Sequence, residues 1–365
     1  MFFQIIIITS FRRKLCQRII PDLPIPAWNL NLKLHAKLLK TLKKIILSDD
    51  FLSRNRKSKQ DFTRKRSLPF PLLILFMANF LKGAIQDELD WFFKTVKGND
   101  LPKPEITASA FFKARKKLKH QAFVELNHHQ VDHFYNCFTP NKWNGYRLIG
   151  VDGSTIRVPD SKEIIEHFGF QKAGKGKDCP MGRASQLFDP LNKITVDATI
   201  DPITVDERTQ LVSMLSILGP KDIILLDRGY PSFWLFALLL SKTIPFVFRL
   251  TVSTWKAAKE LVQSKEKETI VTLKASDPSR KMCKKYGLSL EPINLRFVRI
   301  DLPSGEPEVL VTSLLDPVEF PHSEFSMLYR LRWPIETDFS YLKCRLEVER
   351  FTGLTVLSVL QDFHA

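Results

Sequence analysis

Four short runs rich in Ile, Val and Phe follow one another after residue 143, and they restrict the folds open to this part of the chain. Their length and composition are typical of β-strands, and they are Tyr146–Val158, Ile194–Ile200, Ile223–Leu226 and Phe246–Leu250. The stretches Glu207–Leu218 and Phe233–Ser241 lie between them and have helical periodicity. Strands followed by alternating helices and strands predict an α/β domain whose mixed sheet is flanked by helices.

The first 140 residues have a different pattern. From residue 28 onward, apolar residues recur at three- and four-residue spacing among many Lys and Arg, which predicts an all-helical, basic N-terminal domain. The apolar run Leu68–Leu81 has 14 residues and two prolines, fewer than the roughly 20 needed to span a membrane. We interpret it as a buried helix. The shorter apolar run Phe2–Phe11 is followed by basic residues, whereas in a signal peptide the basic residues come before the apolar run.

The net charge of the chain indicates the kind of partner that it binds. The chain has 55 Lys and Arg against 39 Asp and Glu, a formal net charge of +16, which favours a polyanion, nucleic acid before anionic membrane. The five cysteines are scattered without a C-x-x-C pair, which argues against a disulfide framework or a zinc site and fits a reducing cytoplasm. The sequence contains no Walker loop or Rossmann fingerprint, so we expect no nucleotide cofactor.

Two basic segments of the N-terminal domain are candidates for DNA contacts. Residues 54–66 hold one acid and predict a solvated arm, with basic residues Arg54, Arg56, Lys57, Lys59, Arg64, Lys65 and Arg66. Residues 107–119 predict a helix with a Thr or Ser N-cap, with basic residues Lys113, Arg115, Lys116, Lys117 and Lys119. This helix could lie in a DNA groove, or it could pack on the core with a charged outer face.

The later part of the chain departs from the alternation. Residues 251–315 contain a charged helical stretch and a hairpin, Leu295–Leu302 with Glu308–Leu314, which predict a β-rich insertion. The first part of the α/β domain is then 141–250, and residues 316–365 hold a further helix that begins near Ser323. A Gly- and Lys-rich loop between Phe168 and Arg183 is either a flexible connection or a phosphate-contacting loop.

Two aspartates follow apolar strands. Asp152 ends the run Leu148–Val151, and Asp227 ends the run Ile223–Leu226. Either alone is an ordinary turn residue. Two carboxylates at neighbouring strand ends form a hard anionic oxygen site, which suits Mg²⁺ or Mn²⁺.

A third carboxylate, Glu336, has three companions. Tyr329, Arg332 and Lys343 stand at offsets of −7, −4 and +7 from it, so on one helix all four would share a face. Cations can hold phosphodiesters while the carboxylate binds metal, although ordinary ion pairing along a helix gives the same pattern. Pro334 predicts either a kink or a helix that begins there, with Glu336 in its first turn.

The spacing Y-x2-R-x3-E-x6-K of these four residues resembles that of the DDE transposases of bacterial insertion sequences, specifically insertion sequence family four. The stretches Trp143–Ser154 and Asp227–Tyr230 also resemble this family. The resemblance covers about residues 141 to 350.

The resemblance implies an RNase H-like catalytic core and metal-dependent cutting and joining of DNA. Asp152 would lie on the first strand, Asp227 after the fourth and Glu336 on a later helix, together binding two Mg²⁺ ions that Mn²⁺ could replace. Tyr329, Arg332 and Lys343 would contact DNA near the transposon end.

The implied partners are double-stranded DNA, as terminal inverted repeats and target, and a second copy in a homodimer. The protein would be cytoplasmic and associated with the nucleoid when bound to DNA. Two rivals stay open, an inactive DNA-binding remnant and a structure-specific nuclease with the same core. Only 22 residues follow Lys343 (365 − 343), so we expect a shortened C-terminal end that lacks a dimerisation region.

Overall fold

The structure is a computed structural model that describes residues 29–79, 83–171, 178–302, 305–344 and 347–365. The run Phe2–Phe11 and the Gly- and Lys-rich positions 172–177 lie outside the described residues. The chain divides into two compact units: unit 1 comprises residues 1–140, 156–182 and 347–365, and unit 2 comprises residues 141–155 and 183–346. Residues 156–182 and 347–365, which the sequence analysis groups with the α/β domain, thus belong with the N-terminal helices.

Unit 1 is mainly helical. Its elements are α1 (Asn29–Ile46), α2 (Asp49–Asn55), α3 (Phe70–Met77), α4 (Ile85–Lys97), α5 (Ala108–Arg115), α6 (Gln121–Cys137), α7 (Lys162–Phe168), the two-residue strand β2 (Phe170–Gln171) and α14 (Val356–His364). The strand β2 pairs with the first residues of a longer strand, β3 (Cys179–Asp189).

Aromatic side chains pair with one another in the core of unit 1. Phe76 and Phe111 meet edge to face with their ring centroids 5.0 Å apart, and Phe51 packs in the same way on Phe70 at 5.7 Å. Such pairs add about 0.5–1.5 kcal/mol each to the gain from burial. The prediction of a buried helix within Leu68–Leu81 is confirmed, since α3 contributes five buried residues. No helix among the described residues is long and apolar enough to cross a membrane.

Unit 2 contains a mixed sheet with helices around it. Its strands are β1 (Arg147–Arg157), β3, β4 (Ile194–Pro202), β5 (Asp222–Leu226), β6 (Phe246–Leu250), β7 (Glu268–Leu273), β8 (Ile293–Asp301) and β9 (Pro307–Thr312). Its helices are α8 (Glu207–Met214), α9 (Phe233–Ser241), α10 (Lys256–Ser264), α11 (Asp277–Tyr286), α12 (His322–Arg330) and α13 (Pro334–Cys344). Strand β1 and strand β3 each extend into unit 1 at one end.

The strand order confirms the predicted fold class. Strands β4, β3, β1, β5 and β6 are neighbours in that order, the order of an RNase H-like core, and β5 is parallel to both β1 and β6. The predicted hairpin is present as β8 and β9. Because β9 pairs antiparallel with β6, the hairpin extends the central sheet instead of forming a separate layer.

Candidate active site

Two neighbouring parallel strands bring Asp152 and Asp227 together. Gly150 of β1 is in register with Leu225 of β5. Asp152 lies two residues after Gly150, and Asp227 lies two residues after Leu225. Parallel strands lie about 4.8 Å apart, so the two aspartates lie on neighbouring chain segments. Asp227 directly follows β5 as predicted, but Asp152 lies inside β1, which continues to Arg157, and not at a strand end. The β5 strand is fully buried, which fixes the position of the turn that begins with Asp227.

Glu336 lies near Asp152 on a helix that begins at Pro334. The helix α12 ends at Arg330, and α13 starts at Pro334 after a turn. Of the two sequence-based alternatives, the structure therefore shows a helix beginning at the proline. Glu336 lies in the first turn of α13, where the helix dipole stabilises an anion. Ile335 packs over Gly150, 3.6 Å from where a Cβ would stand, which places this turn on the face of β1.

Arg332 is the positive charge that the three carboxylates share. Its side chain is 4% exposed and donates to Glu336 Oε1 at 2.6 Å. Its charge also lowers the pKa of Asp152 and acts on Asp227. The Arg332 Nε atom is buried and has no hydrogen-bond partner among the described residues. One guanidinium thus faces three acids, which leaves an excess of negative charge.

Tyr329 and Lys343 complete the four-residue motif. The Tyr329 hydroxyl lies 3.4 Å from Asp227 Oδ1 and 3.4 Å from the Leu226 carbonyl oxygen. Tyr329 is only 4% exposed. Burial raises the pKa of the Tyr329 phenol, so it stays a hydrogen-bond donor. Lys343 Nζ donates to the Thr155 carbonyl of β1 at 2.6 Å. All four motif residues therefore contact the elements that hold the aspartates, or each other.

In the part of the chain that the structure describes, no three Asp, Glu, His or Cys side chains are close enough to hold one metal ion. The donor chemistry nevertheless fits a hard divalent cation, because the acids are oxygen donors and their combined charge exceeds that of the buried Arg332. Asp338, two residues after Glu336, accepts a hydrogen bond from Gln186 Nε2 at 3.1 Å.

The electrostatic state of Asp152 reflects this excess of negative charge. Burial, together with the charges of Glu336 and Glu207, raises the pKa of Asp152 to about 6, although the Gly153 amide and Arg332 lower it. A group with a raised folded-state pKa binds its proton more tightly when the protein is folded. Asp152 therefore favours folding at low pH, and this contribution is lost as pH rises from about 3.8 to about 6.

This shift predicts a pH-dependent effect of Asp152→Asn. Without divalent ions, the variant should gain stability relative to the wild type as pH rises from 4 to 7, by up to about 3 kcal/mol. Urea denaturation across that range measures the difference. Asp277→Asn, at a 93% exposed side chain, should follow the wild type at every pH. A constant difference between Asp152→Asn and wild type would contradict the raised pKa.

The two basic segments of unit 1 lie side by side. Arg56 forms a β-bridge with Leu118, and the Lys57 amide donates to the Lys117 carbonyl at 2.9 Å. The helix α5 begins after Thr107, whose side chain caps it as predicted, but ends at Arg115. Apart from Arg54, the exposed basic side chains on the two segments are Lys57, Lys59, Arg64, Lys65, Arg66, Lys113 and Lys116. We call these seven residues the basic surface of unit 1.

Other basic side chains in these segments are engaged within unit 1. Arg54 pairs with Glu125 at 2.5 Å and also with Asp50, and Lys117 lies 3.6 Å from Asp61. Lys119 Nζ donates to the Arg54 carbonyl at 2.9 Å. Arg56 is partly buried.

Arg115 is the largest departure from the expectation of a DNA contact. Its side chain is 4% exposed and pairs with Asp362 of α14 at 2.7 Å, and it also donates to Gln361, Thr352 and the Ser358 carbonyl. The guanidinium is a structural link within unit 1.

Glu207, whose charge acts on Asp152, and its ion-pair partner Arg183 were not predicted from the sequence. Glu207 is the first residue of α8 and pairs with Arg183 of β3 at 3.2 Å. The only sequence signal is Asp206 before it, a good N-cap residue. Arg183 lies on a strand that was not predicted at all.

The chain is similar to known proteins. A family described as the Transposase DDE domain matches residues 143–363. The transposase InsG for insertion sequence element IS4, from Escherichia coli strain K12, is 24% identical over 293 residues, 79% of this chain. The chain spans 65% of the length of InsG. A piggyBac transposase synaptic complex with hairpin DNA gives a TM-score of 0.45 at 11% identity, covering 89% of this chain and 74% of that one.

Proposed function

Because the chain belongs to the Transposase DDE domain family, we propose that it cuts DNA at the ends of an insertion sequence and joins those ends to target DNA. The observation that supports this proposal is that Asp152, Asp227 and Glu336 each interact electrostatically with the buried Arg332. These acids come from three separate segments of the chain: Asp152 lies within β1, Asp227 directly follows β5, and Glu336 lies in the first turn of α13.

Asp152, Asp227 and Glu336 would hold two Mg²⁺ ions, which Mn²⁺ can replace. Bound there, the ions would activate a water or a 3′-hydroxyl and stabilise the departing oxygen. Arg332 holds Glu336 in place and balances part of the negative charge. Tyr329 orients Asp227 through its hydroxyl.

The contacts suggest a division of labour within the motif. Tyr329 and Arg332 are almost fully buried and direct their polar groups at carboxylates, so we assign them to positioning these acids instead of to DNA. Lys343 is only partly buried, and we retain it as a phosphate contact. DNA binding by unit 1 rests on its basic surface, without Arg115. A homodimer on DNA remains part of the proposal.

Strand transfer is the reaction that separates this function from its rivals. The full chain is mixed with Mg²⁺, a DNA fragment that carries the element's ends, and a target plasmid. We expect cleavage at the ends and a joined product in the plasmid. Cleavage without joining would indicate a nuclease, and binding without cleavage an inactive DNA-binding protein, and either result would contradict the proposal.

The basic surface predicts a salt effect on DNA affinity. Replacing Arg64, Lys65 and Arg66 together by Gln should lower the slope of log affinity against log salt by about 3, since each phosphate contact contributes about 0.9. Fluorescence anisotropy with duplex DNA at several salt concentrations measures this slope. The matched control replaces Lys281, Lys284 and Lys285 of α11 by Gln. Equal slopes for both triple variants would contradict the assignment.

A further inference from the structure

The first turn of α8 packs against β1 on the face opposite the Asp152 side chain. A Cβ on Gly153 would come within 3.0 Å of the Glu207 Cγ, Cδ and Oε1 atoms, so the glycine leaves room for this side chain. Successive strand residues face opposite sides of a sheet, and Gly150, on the Asp152 side, faces Ile335 of α13. Glu207 therefore contacts the β1 backbone next to Asp152 without facing the Asp152 carboxylate.

The same turn of α8 contacts the loop that carries Asp227. Arg208, the second residue of α8, donates from its guanidinium to the Gly229 carbonyl at 2.8 Å. The Tyr230 amide donates to the Asp227 carbonyl at 3.1 Å, so these residues form one turn. This turn lies beyond the end of β5 at Leu226, and its position therefore depends on contacts such as the one with Arg208.

The Tyr230 side chain connects these two contacts. Tyr230 is 2% exposed, and its hydroxyl interacts with the Glu207 carboxylate and with Ser185. The Ser185 hydroxyl in turn donates to the Asp152 carbonyl at 3.2 Å. Contacts thus run from the turn after β5, through Tyr230 and Ser185, to the Asp152 backbone.

The start of α8 is itself held by several contacts. The Asp206 side chain caps the helix by accepting from the Thr209 amide at 3.0 Å. Arg183 of β3 pairs with Glu207 at 3.2 Å, and the Gln210 side chain donates to the Arg183 carbonyl at 2.7 Å. Because α8 is fixed on β3 in this way, its first turn can hold β1 and the turn after β5 in a constant relation.

We propose that Glu207 and Arg208 are positioning residues for the two active-site aspartates. By holding β1 and the turn after β5 against one helix start, they would fix the spacing between the Asp152 and Asp227 carboxylates. Neither side chain would bind metal or DNA, because each acts through the backbone that carries an aspartate. The inference rests on the proposed function. Displacing a reacting group by about 1 Å can slow a reaction about a hundredfold, so loss of either contact should lower the rate.

Hydrogen–deuterium exchange of the full chain, without metal or DNA, tests the inference independently of catalysis. Arg208→Ala should speed exchange of the Tyr230 amide about fivefold, the effect expected for loss of one hydrogen bond that holds the turn. The amides of β5 should exchange as in the wild type. Arg280→Ala, at a 62% exposed side chain of α11, is the matched control and should change neither. Unchanged exchange of the Tyr230 amide in Arg208→Ala would refute the role of Arg208.

Single-turnover cleavage of the element's terminal DNA in Mg²⁺ gives a second readout. Glu207→Gln and Arg208→Ala should each lower the maximal rate about ten- to hundredfold, with DNA affinity unchanged. Arg208→Lys keeps a donor and should recover part of the rate. Glu260→Gln, on α10 with a 61% exposed side chain, should cleave as the wild type does. A merely structural role would lower the unfolding temperature without lowering the rate of the folded protein.

The two readouts distinguish failure of this inference from failure of the proposed function. If Asp152→Asn loses cleavage while Glu207→Gln and Arg208→Ala cleave at the wild-type rate, the positioning role is refuted and the proposed function stands. If the wild type itself does not cleave, the proposed function fails. Faster exchange in Arg208→Ala would then still support the hold of α8 on the turn, and unchanged exchange would refute it.

Discussion

Substituting any one of Asp152, Asp227 and Glu336 by its amide is expected to lower Mg²⁺-dependent cleavage of the element's terminal DNA at least about a thousandfold. Each amide has the size of the acid but lacks its charge, so the fold should persist while metal binding weakens. Loss of about 4 kcal/mol of transition-state stabilisation corresponds to that factor. Single-turnover cleavage of a labelled fragment, with enzyme in excess, measures the effect.

The matched controls for this series are Asp277→Asn and Glu260→Gln, which remove the same charges at exposed positions of unit 2. Both should cleave at the wild-type rate. DNA affinity, measured in Ca²⁺ or without metal, should change little in any variant. Full activity in the three active-site variants would remove the basis of the proposed function.

Arg115→Ala should destabilise unit 1 by about 3–5 kcal/mol. The substitution leaves Asp362, whose side chain is 12% exposed, without its ion-pair partner. Removing one member of a buried ion pair lowers the free energy of unfolding by about this amount. It also removes donors to Gln361, Thr352 and the Ser358 carbonyl. Urea denaturation followed by circular dichroism gives the free energy of unfolding. Lys113→Ala, on the exposed face of the same helix, should change it by less than about 0.5 kcal/mol.

A double-mutant cycle with Asp362→Ala separates this ion pair from general damage. Once Arg115 is absent, removing Asp362 should cost less than it does in the wild type, since the two residues contact each other directly. The salt dependence of DNA binding should be the same for Arg115→Ala as for wild type under conditions where both are folded. A reduced slope for Arg115→Ala, with wild-type stability, would restore this residue to the DNA surface.

Much of the fold follows from sequence patterns that act locally. The strands β5 and β6 and the helix α9 are continuous apolar runs, and they form where periodicity predicts them. The strand β3 was missed because its buried side chains include Ser185, Gln186 and Asp189. Polar groups of this kind are stabilised by partners far away in the sequence, as Gln186 is by Asp338. Periodicity carries no information about such partners.

The candidate site could be predicted in its chemistry but not in its arrangement. Asp152 and Asp227 were identified by the apolar runs before them and Glu336 by the spacing of its motif, and Pro334 limited the geometry of Glu336 to two alternatives. The role of Arg332 as their shared counter-charge depends on burial, which the motif alone does not reveal. Glu207 had no recognisable spacing relative to the other acids, because its proximity to Asp152 arises from the packing of α8 on β1.

Charge composition has the same limit. An excess of Lys and Arg correctly favours an anionic partner, yet it does not say which of these residues face solvent. Arg115, Arg332 and Arg296 are all at most 3% exposed. The Arg296 guanidinium donates hydrogen bonds to Glu268 at 2.5 Å and to the Phe320 carbonyl at 2.7 Å. Only the exposed subset can bind phosphates.

Anomalous diffraction from crystals of the full chain with Mn²⁺ and DNA from the element's ends is the most direct test of the metal site. We expect two peaks about 3.5–4 Å apart, in contact with carboxylate oxygens of Asp152, Asp227 and Glu336. Absence of peaks at these three residues in crystals saturated with Mn²⁺, or peaks bound only elsewhere, would contradict the account.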